Sequence, residues 1–105
     1  MGNLRKVLNP DTIALIGATA EEGTVGKILL ENLLLSKDKK LFAVNPHRET
    51  VLGLTCYPAI ADVPEKIDLA LVATPPPAVP HIVDECGRAD VEGVIIVSSV
   101  FKEMG

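Results

Sequence analysis

Residues Ile13 to Gly26 read IALIGATAEEGTVG, and the order of features in this stretch decides the fold. Ile13 to Ile16 is a short continuous apolar run, long enough for a buried strand and shorter than a helix needs. The turn signal Asn9-Pro10-Asp11 precedes it. Gly17, Gly23 and Gly26 then punctuate a loop. Beyond the loop Val25, Ile28, Leu29, Asn32 and Leu33 fall near helical spacing, Thr24 is placed to cap the first amides, and Lys37, Lys39 and Lys40 follow the last turn. The pattern predicts a strand running through a glycine-rich loop into a helix over about Thr24 to Ser36.

Working outward, Leu41 to Val44 predicts a second strand. It is stopped by Asn45-Pro46, because proline donates no ladder hydrogen bond and steers its predecessor away from helix. Thr50 to Leu54 reads as briefly extended around Gly53, and Pro58 to Val63 as one short helical turn closed by Pro64. Ile67 to Ala73 is the next clear strand and ends at Thr74-Pro75-Pro76-Pro77, prolines that suit a turn or the first turn of a helix. In that second helix Val79, Ile82, Val83 and Cys86 recur at helical spacing, and Gly87 or the Arg88-Ala89-Asp90 segment ends it. Gly93 to Ser98 predicts a fourth strand. Strands alternating with helices over short connections imply right-handed βαβ units, hence an α/β domain with a parallel sheet flanked by helices.

Composition agrees. A chain of 105 residues with 48% hydrophobic and 23% charged residues suits one core. Its apolar content is aliphatic, with only Phe42, Tyr57 and Phe101 aromatic, as expected for strands covered on both faces. The net charge of -4 and the lack of a basic cluster interleaved with aromatics argue against nucleic acid. No apolar run approaches the ~18 residues of a membrane span, and MGNLRKVLNPDT lacks a signal-peptide core, so a soluble cytoplasmic chain is expected. Cys56 and Cys86 show no metal-ligand spacing with His47 or His81, and Cys86, on the apolar helix face, is expected in the core. Phe101 to Gly105 stop just after a strand without a covering helix, which suggests a fragment of a longer protein.

In an open parallel sheet ligands collect outside the carboxyl ends of the strands, which singles out Gly17 to Gly26, Asn45 to Arg48, Thr74 to Pro76 and Ser98 to Ser99. In the first segment Gly17 permits the turn off the strand, Gly23 a close backbone approach, and Gly26 close helix packing. The helix amides attract an anion and Thr24 can add a hydroxyl. Thr19 stands where a dinucleotide fingerprint has its second glycine. The second strand ends in Asn45-Pro46-His47-Arg48, with a cation suited to phosphate instead of a carboxylate for a ribose, so an ordinary NAD site is disfavoured. Lys27 is followed by Ile28, which excludes a P-loop. Glu21 and Glu22 would repel a phosphate unless they point away. Arg48 is either a ligand contact or a solvated loop charge, Thr74-Pro75-Pro76 either a helix start or a rigid edge for a flat or apolar ligand group, and Tyr57 a half-buried cover.

Together, Leu8 to Thr19, Gly23-Thr24-Val25-Gly26, Val44-Asn45-Pro46, Val51-Leu52-Gly53 with Cys56-Tyr57-Pro58, and Asp68 to Val72 resemble the CoA-binding domain of NDP-forming acyl-CoA synthetases. That domain is similar to the N-terminal, Rossmann-like domain of the succinyl-CoA synthetase alpha subunit. The resemblance implies coenzyme A or acyl-CoA as ligand. It implies that Thr19, Ala20, Glu21 and Glu22, with Gly23, Thr24, Val25 and Gly26, line the nucleotide and phosphate site. It further implies that Arg48 matches a basic position contacting CoA and that Thr74, Pro75 and Pro76 match a Val-Pro-Ala-like contact segment; with Gly17, Asn45 and Pro46 these make the candidate site. Thr-Pro-Pro and the acidic Glu21-Glu22 depart from the succinyl enzymes. The family joins an acid to CoA at the expense of a nucleoside triphosphate through a phosphorylated histidine in a following domain. His47 and His81 are therefore not that residue, and this domain is expected to bind without turnover, alongside further domains or subunits of an acyl-CoA synthetase or a related acetyltransferase. The alternatives are a stand-alone CoA-binding protein and an NAD(H)-binding regulatory domain.

Overall fold

A computed structural model of the chain describes residues 3–97. Its elements in order are α1 (Leu4–Leu8), β1 (Thr12–Ile16), α2 (Val25–Leu34), β2 (Lys40–Val44), β3 (Thr50–Val51), β4 (Leu54–Tyr57), a 3-10 turn (Ile60–Asp62), β5 (Leu69–Val72), a second 3-10 turn (Pro76–Ala78), α3 (Val79–Arg88) and β6 (Gly93–Ile96). The six strands form one sheet in the order β3-β4-β2-β1-β5-β6. All neighbouring pairs are parallel except β3 with β4, which form a small antiparallel hairpin turning at Leu52-Gly53. The expected α/β architecture of a parallel sheet between helices holds, with that hairpin added at one edge.

Alternation along the central strand builds the two halves of the core. Ala14 and Ile16 face a cluster with Val44, Ile67, Val72, Cys86 and Val91, against which Val79 and Ile82 of α3 pack. Leu15 faces the other way, onto Leu30, Ala43, Val51 and Cys56, with Leu29 and Leu33 of α2 closing over them. All five residues of β1 are buried, so β1 reads as a continuous apolar run because both its faces are covered.

Thr24 caps α2 as expected, its hydroxyl oxygen accepting from the Lys27 amide at 3.2 Å. The helix ends at Leu34, and the next amides, of Leu35 and Ser36, tighten onto Asn32 and Leu33 carbonyls three residues back. Its buried face differs from the stripe the spacing suggests: Ile28 is 53% exposed while Leu30 is fully buried. Apart from Lys27, Glu31 and Asn32 the helix is apolar, and Gly26 sets its rotation. A β-carbon there would collide with the Gly17 carbonyl oxygen, so that face alone can lie against the end of β1.

At the amino ends of the strands β1 and β5 are pinned together. The buried Asp68 carboxylate accepts from the amides of Asp11 (2.9 Å) and Thr12 (3.4 Å). The Thr12 hydroxyl donates to the Lys66 carbonyl and accepts from the Asp68 amide, both at 2.9 Å. Two elements go beyond the sequence-based expectation. Helix α1, capped by Asn3, lays Val7 over Gly93, where a β-carbon would meet the valine side chain. The strand β4 carries the extended segment on to Tyr57, where Cys56 and Tyr57 pair with Ala43 and Val44. The last predicted strand is found as Gly93–Ile96; Ser98 and Ser99 lie outside the described residues.

Candidate functional site

The connection from β1 leads through α2 to β2 on one side of it, while β5 lies on the other. The order in which strands are added thus reverses between β1 and β5, and the carboxyl ends of these parallel strands, in register at Ile16 and Val72, open a crevice of the kind that receives ligands in such sheets. A cleft of about 640 Å³ lies there, within the size range of small-molecule sites.

Gly17 makes the turn off β1 with φ +96, and the Ala73 carbonyl oxygen would stand 2.7 Å from a β-carbon at that position. The β1 and β5 exits are therefore packed backbone to backbone, and this seam is the floor of the cleft. The loop is tied to the end of β2 as well. The Gly17 and Ala18 amides donate to the Val44 carbonyl at 2.9 and 3.4 Å. The Asn45 side chain donates to the Ala18 carbonyl at 2.8 Å and accepts from the His47 amide at 2.8 Å. Asn45 thus serves as a clamp between two loops that line the cleft, a role that its position before proline did not reveal.

Among the expected residues, Gly17, Thr19, Glu21, Asn45, Pro46, Arg48, Thr74 and Pro75 line this one cleft. Ala20, Glu22, Gly23, Thr24, Val25, Gly26 and Pro76 lie outside that lining, in the rest of the loop, the first turn of α2 and the 3-10 turn. Their bonds account for several of them. The Thr24 hydroxyl gives its proton to the Glu21 carbonyl at 2.7 Å, so it is not the free donor the sequence suggested. The Thr19 hydroxyl oxygen accepts from the Glu21 amide at 3.1 Å. Gly23 has φ +81 and open space around it, so its reason within the chain is backbone conformation rather than close approach. Glu22 is drawn to Lys27, whose amine it bonds and whose pKa it raises; the carboxylate at the cleft is Glu21 alone of the two.

The far wall brings in residues that sequence reasoning left aside. Pro58, Ala59 and Ile60 come from just after β4 and the first 3-10 turn, and Ala78, His81, Ile82 and Glu85 from the second 3-10 turn and α3, while His47, within the expected Asn45 to Arg48 segment, also lines the cleft. His81 lies 3.5 Å from Glu85, one helical turn on. The 3.6-residue periodicity did place Ile82 on the inner face of α3; the signal for Glu85 and His81 is only that they flank it. Tyr57 stays beside the site, its ring tilted 56° against Phe42 at a centroid distance of 6.2 Å. Burial raises the thiol of Cys56, an effect Arg48 partly offsets. Burial also pushes Cys86 up to about 11, with Glu85 adding to it, which fits a core cysteine and not a nucleophile. Among the described residues no group of three or more His, Cys, Asp or Glu is arranged to hold a metal, and no helix is long and apolar enough to cross a membrane.

Comparison with known proteins gives this geometry a context. Residues 11–104 match a family model described as a CoA binding domain. The chain is 41% identical over 102 residues to an ADP-forming acetate–CoA ligase I of Archaeoglobus fulgidus, covering 97% of this chain and 15% of the relative. It is 36% identical over 104 residues to an ADP-forming acetate–CoA ligase of Methanocaldococcus jannaschii, covering 97% and 14%. Its structure superposes on that of a dinucleotide-forming acetyl-coenzyme A synthetase 1 of Ca. Korarchaeum cryptofilum, solved with phosphate and ADP, with a TM-score of 0.87 and 37% identity, over 100% of this chain and 23% of that one. The chain thus spans about 15% or less of the curated ligases it matches here.

Proposed function

The chain belongs to the CoA-binding domain family of ADP-forming acyl-CoA synthetases, and from that premise we propose that it binds coenzyme A in the cleft at the carboxyl ends of β1, β2 and β5. The observation that carries this reading is the convergence of three separated segments, the Gly17 to Glu21 loop, Asn45 to Arg48 and Thr74-Pro75, on one crevice. The donor set fits the ligand. Arg48 supplies a guanidinium, the side chain best shaped for a phosphate. Ala73, Pro75, Ala78 and Ile82 supply an apolar wall for a ring or an aliphatic arm. Two groups oppose the fit: the Glu21 and Glu85 carboxylates line the cleft and repel a phosphate brought close to them. Phosphates are therefore expected on the Arg48 side.

Coenzyme A, when bound, supplies a thiol for acyl transfer, and this domain's residues hold and orient the carrier. In a longer parent of the acyl-CoA ligase type, activation of the acid belongs to other domains or subunits. The competing NAD(H) reading is opposed by the end of β2, where Asn45 occupies the place of a ribose-binding carboxylate and is engaged with Ala18 and His47. Calorimetric titration of the chain with coenzyme A, dephospho-coenzyme A and NADH decides between them. Saturable heat with coenzyme A and none with NADH is expected; binding of NADH without coenzyme A refutes the proposal.

A further inference from the structure

Among the described residues one side-chain polar atom is sealed from solvent without a hydrogen-bond partner, the hydroxyl oxygen of Thr74. It is not in the deep core, where a valine would serve, but in the wall of the cleft. Thr74 follows β5 by two residues, and its γ-methyl would stand 3.2 Å from a β-carbon on Gly17. The threonine therefore sits on the seam where the two strand exits meet. Its chain neighbours Ala73 and Pro75 carry no side-chain group able to hydrogen-bond. A buried hydroxyl left unsatisfied destabilises the fold that contains it. Turning χ1 from one staggered well to another redirects the oxygen without moving the backbone.

We propose that Thr74 is a specificity-determining residue of the cleft, whose hydroxyl is left unpartnered in the free protein and turns about χ1 to hydrogen-bond the nucleotide half of coenzyme A. Binding then satisfies a polar group that folding alone does not. The nucleotide half is the partner because, among the described residues, Arg48 is the one Lys or Arg side chain in the cleft lining. Arg48 follows β2 and Thr74 follows β5, on either side of β1, so a ligand that sets its phosphates at Arg48 carries the rest of its nucleotide half across the cleft toward Thr74. This inference rests on the coenzyme A reading, and the test separates the two.

The variants are Thr74→Val, which keeps the shape and removes the hydroxyl, and Thr74→Ser, which keeps the hydroxyl. Each is examined by thermal denaturation without ligand and by titration with coenzyme A and with 3′,5′-ADP. Thr74→Val is expected to raise the Tm of the free protein by about 4 to 8 °C and to weaken both ligands alike by about 3- to 10-fold. Thr74→Ser is expected to bind both as the wild type does. A lower Tm for Thr74→Val shows that the hydroxyl has a partner within the fold and overturns the inference. Unchanged affinity does the same, as does a loss confined to coenzyme A. A wild-type chain that binds neither ligand overturns the coenzyme A reading itself, an outcome seen before any variant is compared.

Discussion

Replacing Gly17 by alanine tests the seam between β1 and β5 directly. Two penalties act at once. Gly17 holds φ +96, and a β-carbon there would meet the Ala73 carbonyl oxygen at 2.7 Å, its carbon at 3.0 Å and the Thr74 γ-methyl at 3.2 Å. The positive φ costs an alanine about 1 to 2 kcal/mol. Overpacking against backbone, which cannot rotate aside as a side chain does, costs about 1 to 3 kcal/mol more. The expected loss is roughly 2 to 5 kcal/mol, a large part of the ~5 to 15 kcal/mol that holds a domain together. Gly23→Ala is the internal control, since Gly23 has φ +81 but nothing within 4 Å of a built β-carbon. It should lose only the conformational part, about 1 to 2 kcal/mol. Urea unfolding followed by circular dichroism, with the m-value checked for constancy, gives both numbers. Equal losses for the two variants, within about 0.5 kcal/mol, would mean that the strand exits are not in contact and that the floor assigned to the cleft is wrong.

Three further outcomes are expected. Arg48→Ala should weaken coenzyme A by about ten-fold or more and dephospho-coenzyme A less, because a charge-assisted contact to the 3′-phosphate is lost; equal losses in parallel titrations would remove Arg48 from that phosphate. Asp68→Ala leaves the Asp11 and Thr12 amides without their acceptor and should cost about 1 to 3 kcal/mol in urea unfolding, while coenzyme A affinity at 25 °C stays the same. Lys66 bonds Glu92 at 2.6 Å, and with the Asn3 amide it holds the Glu92 carboxyl below its usual 4.5. The contribution is therefore present above pH 4.5 and lost as pH falls through the depressed native value. The same bond raises Lys66 above 10.5, so its share is present below pH 10.5 and lost above it. Glu92→Gln should flatten both limbs of a Tm-against-pH profile.

What could be read from the sequence was what is encoded locally. Ile13 to Ile16, the Thr24 cap and the Thr74 to Pro77 stop each announce themselves within a few residues, and each is found where expected. Long-range decisions were not legible. Nothing within Leu4–Leu8 tells that a five-residue helix is held by Val7 on Gly93. Cys56 and Tyr57 become strand residues only because Ala43 and Val44 offer them a ladder. Which face of α2 is buried depends on Gly26 meeting the Gly17 carbonyl, a contact between loop and helix that periodicity cannot express. The site followed the same rule. The position of the crevice came from topology, and its near wall from motifs. The far wall depends on how α3 docks, so Glu85 and His81 gave no signal beyond flanking Ile82. Asn45 was noticed for its place beside proline, whereas the structure gives both ends of its amide a task inside the chain.

The Thr12–Asp68 pins and the Gly17–Ala73 seam hold the same pair of strands at opposite ends, separated by the length of β1. Five residues at about 3.3 Å each put roughly 16 Å between them. Substitutions that far apart, sharing no partners, combine additively. The fold is thus modular for an engineer: stability can be adjusted from the pinned end without retuning the ligand. The open end can be diversified over Arg48, His81, Glu85 and Thr74 as a library, on a scaffold whose tolerance has been raised independently.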